Sequence, residues 1–329
     1  MLPLAALGDW LRALVGAVES FLSSLAAVAV GPLALGLLLH AAYLTLRSRA
    51  WFNALRAAYP AERFRWRNVW AAFVAGVGVN SVVPARPGAI VRLYLTRQTI
   101  PRSSYAAIGS SFLVELVFDV PVAIAVVAYA VSQGVFPSLP GLPSLPALDL
   151  GYLSRHPELT LFAITVAGVA VMAAIAYLSV GVRAFWAHVR QGLTVLGDRS
   201  RWLRQVAAWQ AAGWLARLAG FWFLLEAFAI EPSARNVLLV MAVQGLSALF
   251  FFTPGGAGAQ QALLAVVFAG VASGGQLAAY AVGQQVAIAA FTFALGMGAL
   301  AFVFRTTDWR SIVRRGKEDR ESEEGARAA

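Results

Sequence analysis

The chain has 329 residues, 60% of them hydrophobic and only 13% charged, with a mean hydropathy of +0.70. A soluble domain carries about twice that charged fraction, so the composition excludes an ordinary water-soluble enzyme and indicates a polytopic membrane protein. No cysteine occurs, which removes disulfides, thiolate metal centres and cysteine nucleophiles.

The net charge of +10 is concentrated in 47–67, 183–205 and 305–329, beside the ends of apolar spans. Such asymmetry is the positive-inside pattern that orients membrane helices; with no soluble domain to present the charge, it does not describe a nucleic-acid surface. It places the basic loops and the carboxyl-terminal tail in the cytoplasm, against anionic headgroups.

In chain order, residues 1–20 carry Leu4, Leu7, Leu11, Leu14 and Val18 on one helical face, which predicts an amphipathic helix lying in the membrane interface. The amino terminus lacks a basic stretch and a small-residue cleavage site, so no removable signal peptide is expected. The first span is predicted over 21–46, ending at Arg47 and Arg49, with a basic loop to about 68. The stretch 69–83 is apolar but too short for an easy full crossing before Pro84, and 88–98 forms a second short helix bearing Arg92 and Arg97. Together they predict a re-entrant hairpin.

A span over 104–132 follows. A loop to 157 then carries Pro137, Pro140, Pro143 and Pro146, a spacing that favours extended chain. Next come a span over 158–182 and an interfacial segment to 205, in which Trp186, Val189, Leu193 and Leu196 share a face. A span over 206–228 leads to a second hairpin over 237–270 and a last span over 275–304. The mixed-charge tail, 305–329, is expected to be disordered.

Two interruptions of this apolar sequence match. Pro84-Ala-Arg86-Pro-Gly88 and Pro254-Gly255-Gly256-Ala-Gly258 both read Pro-x-x-x-Gly, and each proline precedes a polar residue by 31 positions, Glu115 in one case and Gln285 in the other. Paired breaks in corresponding halves point to a binding site at a repeat interface. With 158–182 as the odd span, the second half runs upside down. The expected fold is therefore an all-α helix bundle of two inverted repeats, 21–132 and 206–304, each with a Pro/Gly-broken re-entrant hairpin, all within one transmembrane domain, 21–304.

Among residues that could carry chemistry, Glu115 and Asp119 lie one helical turn apart on one face. About eleven residues into its span, Glu115 would sit roughly 16 Å deep, where an ionised group costs on the order of 2.5–3.5 kcal/mol. Two readings stand: a working acid facing an aqueous cavity, or an internal ion pair with Arg86 or Arg92 that holds the hairpin. Arg86, at the break itself, has the planar fork that grips a phosphate, whereas Arg92 and Arg97 fit snorkelling to the interface. Asn80 would either cap the broken backbone or bond a headgroup. Gly255, Gly256 and Gly258 would let a ligand approach the start of a helix or simply let helices pack. Gln260, Gln261, Gln284 and Gln285 would line a cavity or bond between helices. His40 and His188 have no metal-ligand spacing, and no catalytic triad or nucleotide motif is present, so neither metal nor cofactor is expected.

These motifs, Gly76-x3-Asn80-x3-Pro84-x-Arg86-x-Gly88-x3-Arg92, Glu115-x3-Asp119 and Pro254-Gly255-Gly256-x-Gly258, resemble those of the lysylphosphatidylglycerol synthase transmembrane, or flippase-like, family of bacterial and archaeal membrane proteins. The resemblance covers most of 21–304. It implies a multi-pass inner-membrane protein that moves an amphipathic lipid between leaflets, the lipid being a phospholipid, glycolipid or polyprenyl lipid. Where family members usually carry charges, this chain has Ala89, Leu116, Gln261 and Gln284 or Gln285. Those losses argue against a cationic aminoacylated headgroup, and the sequence has no soluble stretch long enough for the aminoacyl-transfer domain of the full synthases.

The leading expectation is a plasma-membrane lipid flippase with no nucleotide motif. Its cavity would be lined by Asn80, Arg86, Arg92, Glu115, Asp119, Gly255, Gly256, Gly258, Gln261 and Gln285, with Pro84, Gly88 and Pro254 at the breaks. The alternatives are a membrane enzyme acting on a lipid headgroup and a non-catalytic scaffold for a glycosyltransferase or lipid synthase.

Overall fold

The computed structural model describes residues 26–83, 87–134, 189–247 and 258–328, together with Glu19, Ser23 and Ser24. The proline-rich loop, the connecting span 158–182, nearly all of the interfacial helix over 1–20, and Pro84, Ala85, Arg86, Pro254, Gly255 and Gly256 lie outside them. Among the described residues the regular structure is entirely helical.

Helix α1 runs Val30–Ala58, twelve residues beyond the end expected at 46; only 59–65 is non-helical before the next helix. The basic residues after 46 do not end the helix because the buried stripe continues through them. Leu44, Arg47, Ser48, Trp51, Leu55 and Ala58 are all buried and recur at the three- and four-residue spacing of one helical face. Helices α2 (Trp66–Val82) and α3 (Gly88–Thr99) are the two short elements expected on either side of Pro84. Helix α4 spans Tyr105–Ser132 and contains Pro121. Its N-cap is Ser104, whose Oγ accepts from the Ala107 N–H at 3.2 Å, satisfying one of the free donors of the first turn.

After a 3-10 turn over Thr194–Gly197, α5 (Arg199–Trp202) passes through a π turn (Leu203–Ala207) into α6 (Ala208–Ala227). The segment expected to lie in the interface is docked on the protein: Val189, Val195 and Val206 are buried, and Leu193 and Leu196 pack against Ala50, Ala54, Ala57 and Val114. Helices α7 (Ala234–Ser247) and α8 (Ala259–Val267) flank the second break. Helix α9 (Gly274–Ala299) continues as a π turn to Phe304. The tail is a helix, α10 (Trp309–Ala328), instead of the disordered segment expected. Trp309, Ile312 and Val313 anchor it in the cluster containing Val91 and Tyr94 of α3, and its opposite charges fall at the helix-compatible spacing i, i+4, as in Arg314 with Glu318 and Arg315 with Asp319.

Close backbone contacts fix the arrangement. On α1, a β-carbon at Gly36 would lie 3.1 Å from the carbonyl oxygen of Gly220 on α6; on α2, one at Gly78 would lie 2.8 Å from the Thr292 carbonyl of α9. Small residues at such crossings let membrane helices approach closely enough for dispersion to hold them. The tightest contact joins the two short helices: a β-carbon at Gly88 would sit 1.9 Å from the Gly76 carbonyl oxygen.

Three described helices, Val30–Ala58, Tyr105–Ser132 and Gly274–Phe304, are long and apolar enough to cross a membrane. The outer surface is correspondingly apolar. Leu215 is 66% and Phe302 88% exposed, while Glu115, Gln210, Gln260 and Gln284 are buried. Polar side chains inside and apolar ones outside is the distribution expected of a protein dissolved in lipid.

Candidate site: a charged cluster and a polar chamber

The acid pair expected on one face of α4 is met by an arginine from α1. Arg47 donates from Nη1 to Asp119 Oδ1 (2.8 Å), and from Nη2 to Asp119 Oδ2 (2.6 Å) and Glu115 Oε2 (2.8 Å). The other oxygen of Glu115 accepts from Arg92 Nη2, on α3. Asp119 also accepts from the Trp214 indole N–H of α6 at 3.0 Å, and Gln210 donates to the backbone carbonyl of Glu115 at 3.3 Å. Four helices therefore converge on two carboxylates.

The arithmetic of the cluster is closed: two carboxylates face two guanidiniums. A lone buried charge is prohibitively costly, whereas opposite charges in close hydrogen-bonded contact are tolerated; the Nε of Arg92 is the one guanidinium nitrogen of the cluster that is buried without a hydrogen-bond partner among the described residues. Arg92, expected to snorkel, instead lies inside the protein. Its guanidinium carbon is 3.7 Å from the ring centroid of Trp51, 4.1 Å from that of Phe112 and 4.4 Å from that of Phe73. Cation–π attraction strengthens as water is withdrawn, so the three rings stand in for solvent around the charge. The Trp51 N–H is in turn held by Ser111 Oγ at 2.8 Å.

This cluster forms one wall of a chamber of about 590 Å³. The chamber is also lined by Arg217 of α6, Gln244 of α7, Gln260 of α8, and Gln284 and Gln285 of α9. Arg217 donates to Gln244 Oε1 at 3.0 Å, and Gln244 Nε2 to Gln284 Oε1 at 3.5 Å. His40 also faces the chamber, its Nε2 3.0 Å from Thr292 Oγ1. A second cavity, of about 420 Å³, is lined by Pro121, Val122, Ala125, Val126, Tyr129 and Leu238 and is almost wholly apolar. Val126 lines both spaces, so a polar chamber and an apolar groove share a wall on α4. Among the described residues no group of three His, Cys, Asp or Glu side chains converges on a metal position.

The residues singled out from the sequence divide into three groups. Arg92, Glu115, Asp119 and Gln285 line the chamber. Asn80, Gly88, Gly258 and Gln261 build the backbone around it. Asn80 Oδ1 accepts from the Gly88 N–H at 2.7 Å, capping the start of α3 across the break. Gly258 has φ +88° at the start of α8, and its N–H donates to Gln261 Oε1 at 2.6 Å. Gln261 then donates from Nε2 to Gln285 Oε1 and to the Ala281 carbonyl. The third group, Pro84, Arg86, Pro254, Gly255 and Gly256, falls outside the described residues.

Arg47, Trp214, Arg217 and Gln244 were not anticipated. The signal for Arg47 was its place on the buried stripe of α1, three residues from Leu44 and four from Trp51. For Arg217 it was a solitary cation near the middle of an apolar span.

Among the described residues, helices with an apolar outer surface and buried polar side chains have the build of an integral membrane protein. A model of the family described as lysylphosphatidylglycerol synthase TM region matches residues 5–296, and the chain belongs to that family. A search of curated proteins found no match.

Proposed function

We propose that this protein moves a phospholipid, glycolipid or polyprenyl lipid between the leaflets of the plasma membrane, with the headgroup in the polar chamber and an acyl chain in the adjoining groove. The shared Val126 wall carries the reading, because it sets a charged compartment beside an apolar one, as an amphipathic ligand requires. Family membership supports a lipid partner. The two inverted repeats, the re-entrant hairpins at Pro84 and Pro254, and the completion of the chamber by Arg86, Gly255 and Gly256 belong to the same proposal.

The charge cluster supplies a means of movement. Arg47 and Arg92 bind Glu115 from opposite sides, tying α1 and α3 to α4. A headgroup that competes for either arginine would loosen that tie, and reclosure behind it would complete the transfer. A ligand drives such a change only by its differential affinity for the two arrangements.

The test is lipid movement in proteoliposomes loaded with fluorescent phospholipid. The expected result is leaflet exchange by the wild type that falls at least about tenfold in Glu115→Gln and Asp119→Asn, each of which removes a charge-assisted hydrogen-bond acceptor. Unchanged exchange in both folded variants overturns the reading. A covalently altered lipid recovered from purified protein and lipid would instead identify a headgroup-modifying enzyme. Lipid exchange absent from the wild type, together with retention of a bound synthase, would identify a scaffold.

A further inference from the structure

The chamber's charges are unevenly paired: both of its carboxylates are taken up by two arginines, while its third arginine faces no acid among the described residues. Glu115 and Asp119 are consumed by Arg47 and Arg92. Arg217 lines the same chamber with no carboxylate within 4.0 Å among the described residues, its hydrogen bond going to the neutral Gln244. The ionisable groups of the described lining, His40 counted neutral, are therefore three arginines against two acids, a net charge of +1.

The glutamine amides are oriented by chemistry. A guanidinium can only donate, so the oxygen of Gln244 must face Arg217 and its NH₂ must face Gln284. Gln284 then presents its oxygen to Gln244, and its own NH₂ is left without an acceptor. Gln284 is completely buried. Gln260 is also buried, and its Nε2 likewise has no acceptor. A buried donor without an acceptor is costly, because it has given up water and gained nothing in return. An uncompensated cation and two buried unsatisfied donors in one chamber define a site short of negative charge and of acceptor oxygens.

We infer that the Arg217–Gln244–Gln284 wall, with Gln260 lining the same chamber, is the docking site for a phosphate oxyanion. A singly charged phosphodiester balances the +1 of the described lining, and its two free oxygens would accept from the planar guanidinium and from the amide donors of Gln260 and Gln284 that lack acceptors. Tyr43 and Trp214 flank Arg217 with ring centroids 5.4 and 5.5 Å from its guanidinium carbon, narrowing the directions in which its fork can point. The ligand's charge is thus read on α6, α7 and α9, and the acid cluster of α1, α3 and α4 serves as the closure. For the source of the phosphate, a lipid headgroup, this assignment rests on the function proposed above; for the chemistry of the site it does not.

The experiment is equilibrium binding to the full-length protein in detergent, with four probes: short-chain phosphatidylglycerol, short-chain phosphatidylcholine, short-chain diacylglycerol and inorganic phosphate. The expected result is preference for phosphatidylglycerol over diacylglycerol, with affinity falling at least about tenfold in Arg217→Gln and in Gln284→Glu and less in Arg217→Lys. Phosphatidylcholine, whose own ammonium offsets its phosphate, binds more weakly than phosphatidylglycerol. Competition by inorganic phosphate as strong as that by phosphatidylglycerol would keep the site but assign it to a free anion, and the lipid reading would fail. Equal binding of phosphatidylglycerol and diacylglycerol overturns the inference in the wild type alone, so it stands or falls even where a variant does not fold. Wild-type phosphatidylglycerol affinity in a folded Arg217→Gln protein overturns it too, while lipid exchange in proteoliposomes could still stand.

Discussion

Arg47 and Asp119, 72 positions apart in the chain, meet through a two-pronged contact in which both guanidinium Nη atoms reach both carboxylate oxygens, at 2.8 and 2.6 Å. The same Nη2 that makes the shorter bond also reaches Glu115. One arginine thus locks the first described span to two successive turns of α4. Removing it would leave two carboxylates to share Arg92, which bonds only Glu115. Arg47→Ala is therefore expected to destabilise the protein by about 3–5 kcal/mol, the range for breaking one side of a buried pair. Arg47→Lys should fall between, since an ammonium keeps the charge but cannot match the fork. Unfolding in detergent measured for Arg47→Ala, Asp119→Ala and the double variant gives the coupling; a coupling near zero would mean the contact contributes nothing.

Arg92 differs from Arg47 in holding one carboxylate oxygen while three aromatic rings surround it. Substitution by lysine retains the charge and can retain the bond to Glu115, but loses the flat guanidinium that lies against Trp51, Phe73 and Phe112. The expected cost is about 1–2 kcal/mol, the worth of a desolvated cation–π contact. The change should also be visible in the near-ultraviolet circular dichroism of the tryptophans. A shift no larger than that of an exposed control such as Arg199→Lys would show that the rings merely fill space.

The junction of α2 and α3 depends on two small features. The backbones approach so closely at Gly76 and Gly88 that a methyl group at Gly88 would collide with a carbonyl oxygen at 1.9 Å and with Asn80 Oδ1 at 2.7 Å. Neither neighbour is the free end of a flexible chain, so Gly88→Ala should cost at least the roughly 1–3 kcal/mol of an overpacked core and lower the yield of folded protein. Asn80→Ala removes only the cap on the Gly88 N–H, with an expected loss of about 1 kcal/mol. Gly298→Ala, where nothing lies within 4 Å, is the control. Equal unfolding midpoints for Gly88→Ala and Gly298→Ala would contradict the close approach.

Much of the architecture was legible because helices in lipid are long and apolar. The runs 104–132 and 275–304 correspond to helices Tyr105–Ser132 and Gly274–Phe304 within a residue. The two short helices beside Pro84 are also readable, because Pro84, Pro87 and Gly88 crowd into five positions, whereas the single Pro121 stays inside α4. What failed was the rule that positive charge marks the end of a span. It holds for side chains that meet water, but Arg47 meets Asp119 instead, and its register with Leu44 and Trp51 is the one local sign of the difference. The partner of an intramembrane acid is a tertiary fact: Arg92 is a sequence candidate for Glu115, while Arg47 lies 68 positions away and reads as the end of the first span. The glutamines read as polar and neutral, and the orientation of the Gln244 and Gln284 amides follows only from Arg217 at the head of the chain of bonds.

The helical tail gives a prediction in pH. Asp308 stands immediately before α10, and its Oδ1 accepts from the Ser311 backbone N–H at 3.0 Å. That bond is the main reason its carboxyl lies below the ordinary aspartate value, with the Arg310 N–H and the charge of Arg314 acting in the same direction. A carboxyl whose folded value is depressed binds protons less well in the folded state than in the unfolded one. Its contribution is therefore fully present above the unfolded value of about 3.9 and is lost as the pH falls through the folded one. The first turn of α10 should fray over that acidic interval, and Trp309, which packs beside it against the α3 cluster, should lose protection with it. Asp308→Asn supplies a cap of similar quality with no titrating proton, so hydrogen exchange in 309–316 should be faster than wild type at neither end of the range and independent of pH within it, after correction for intrinsic exchange. Asp308→Ala should exchange fast throughout. If wild type and Asp308→Asn show the same pH profile, the cap does not depend on the carboxylate charge.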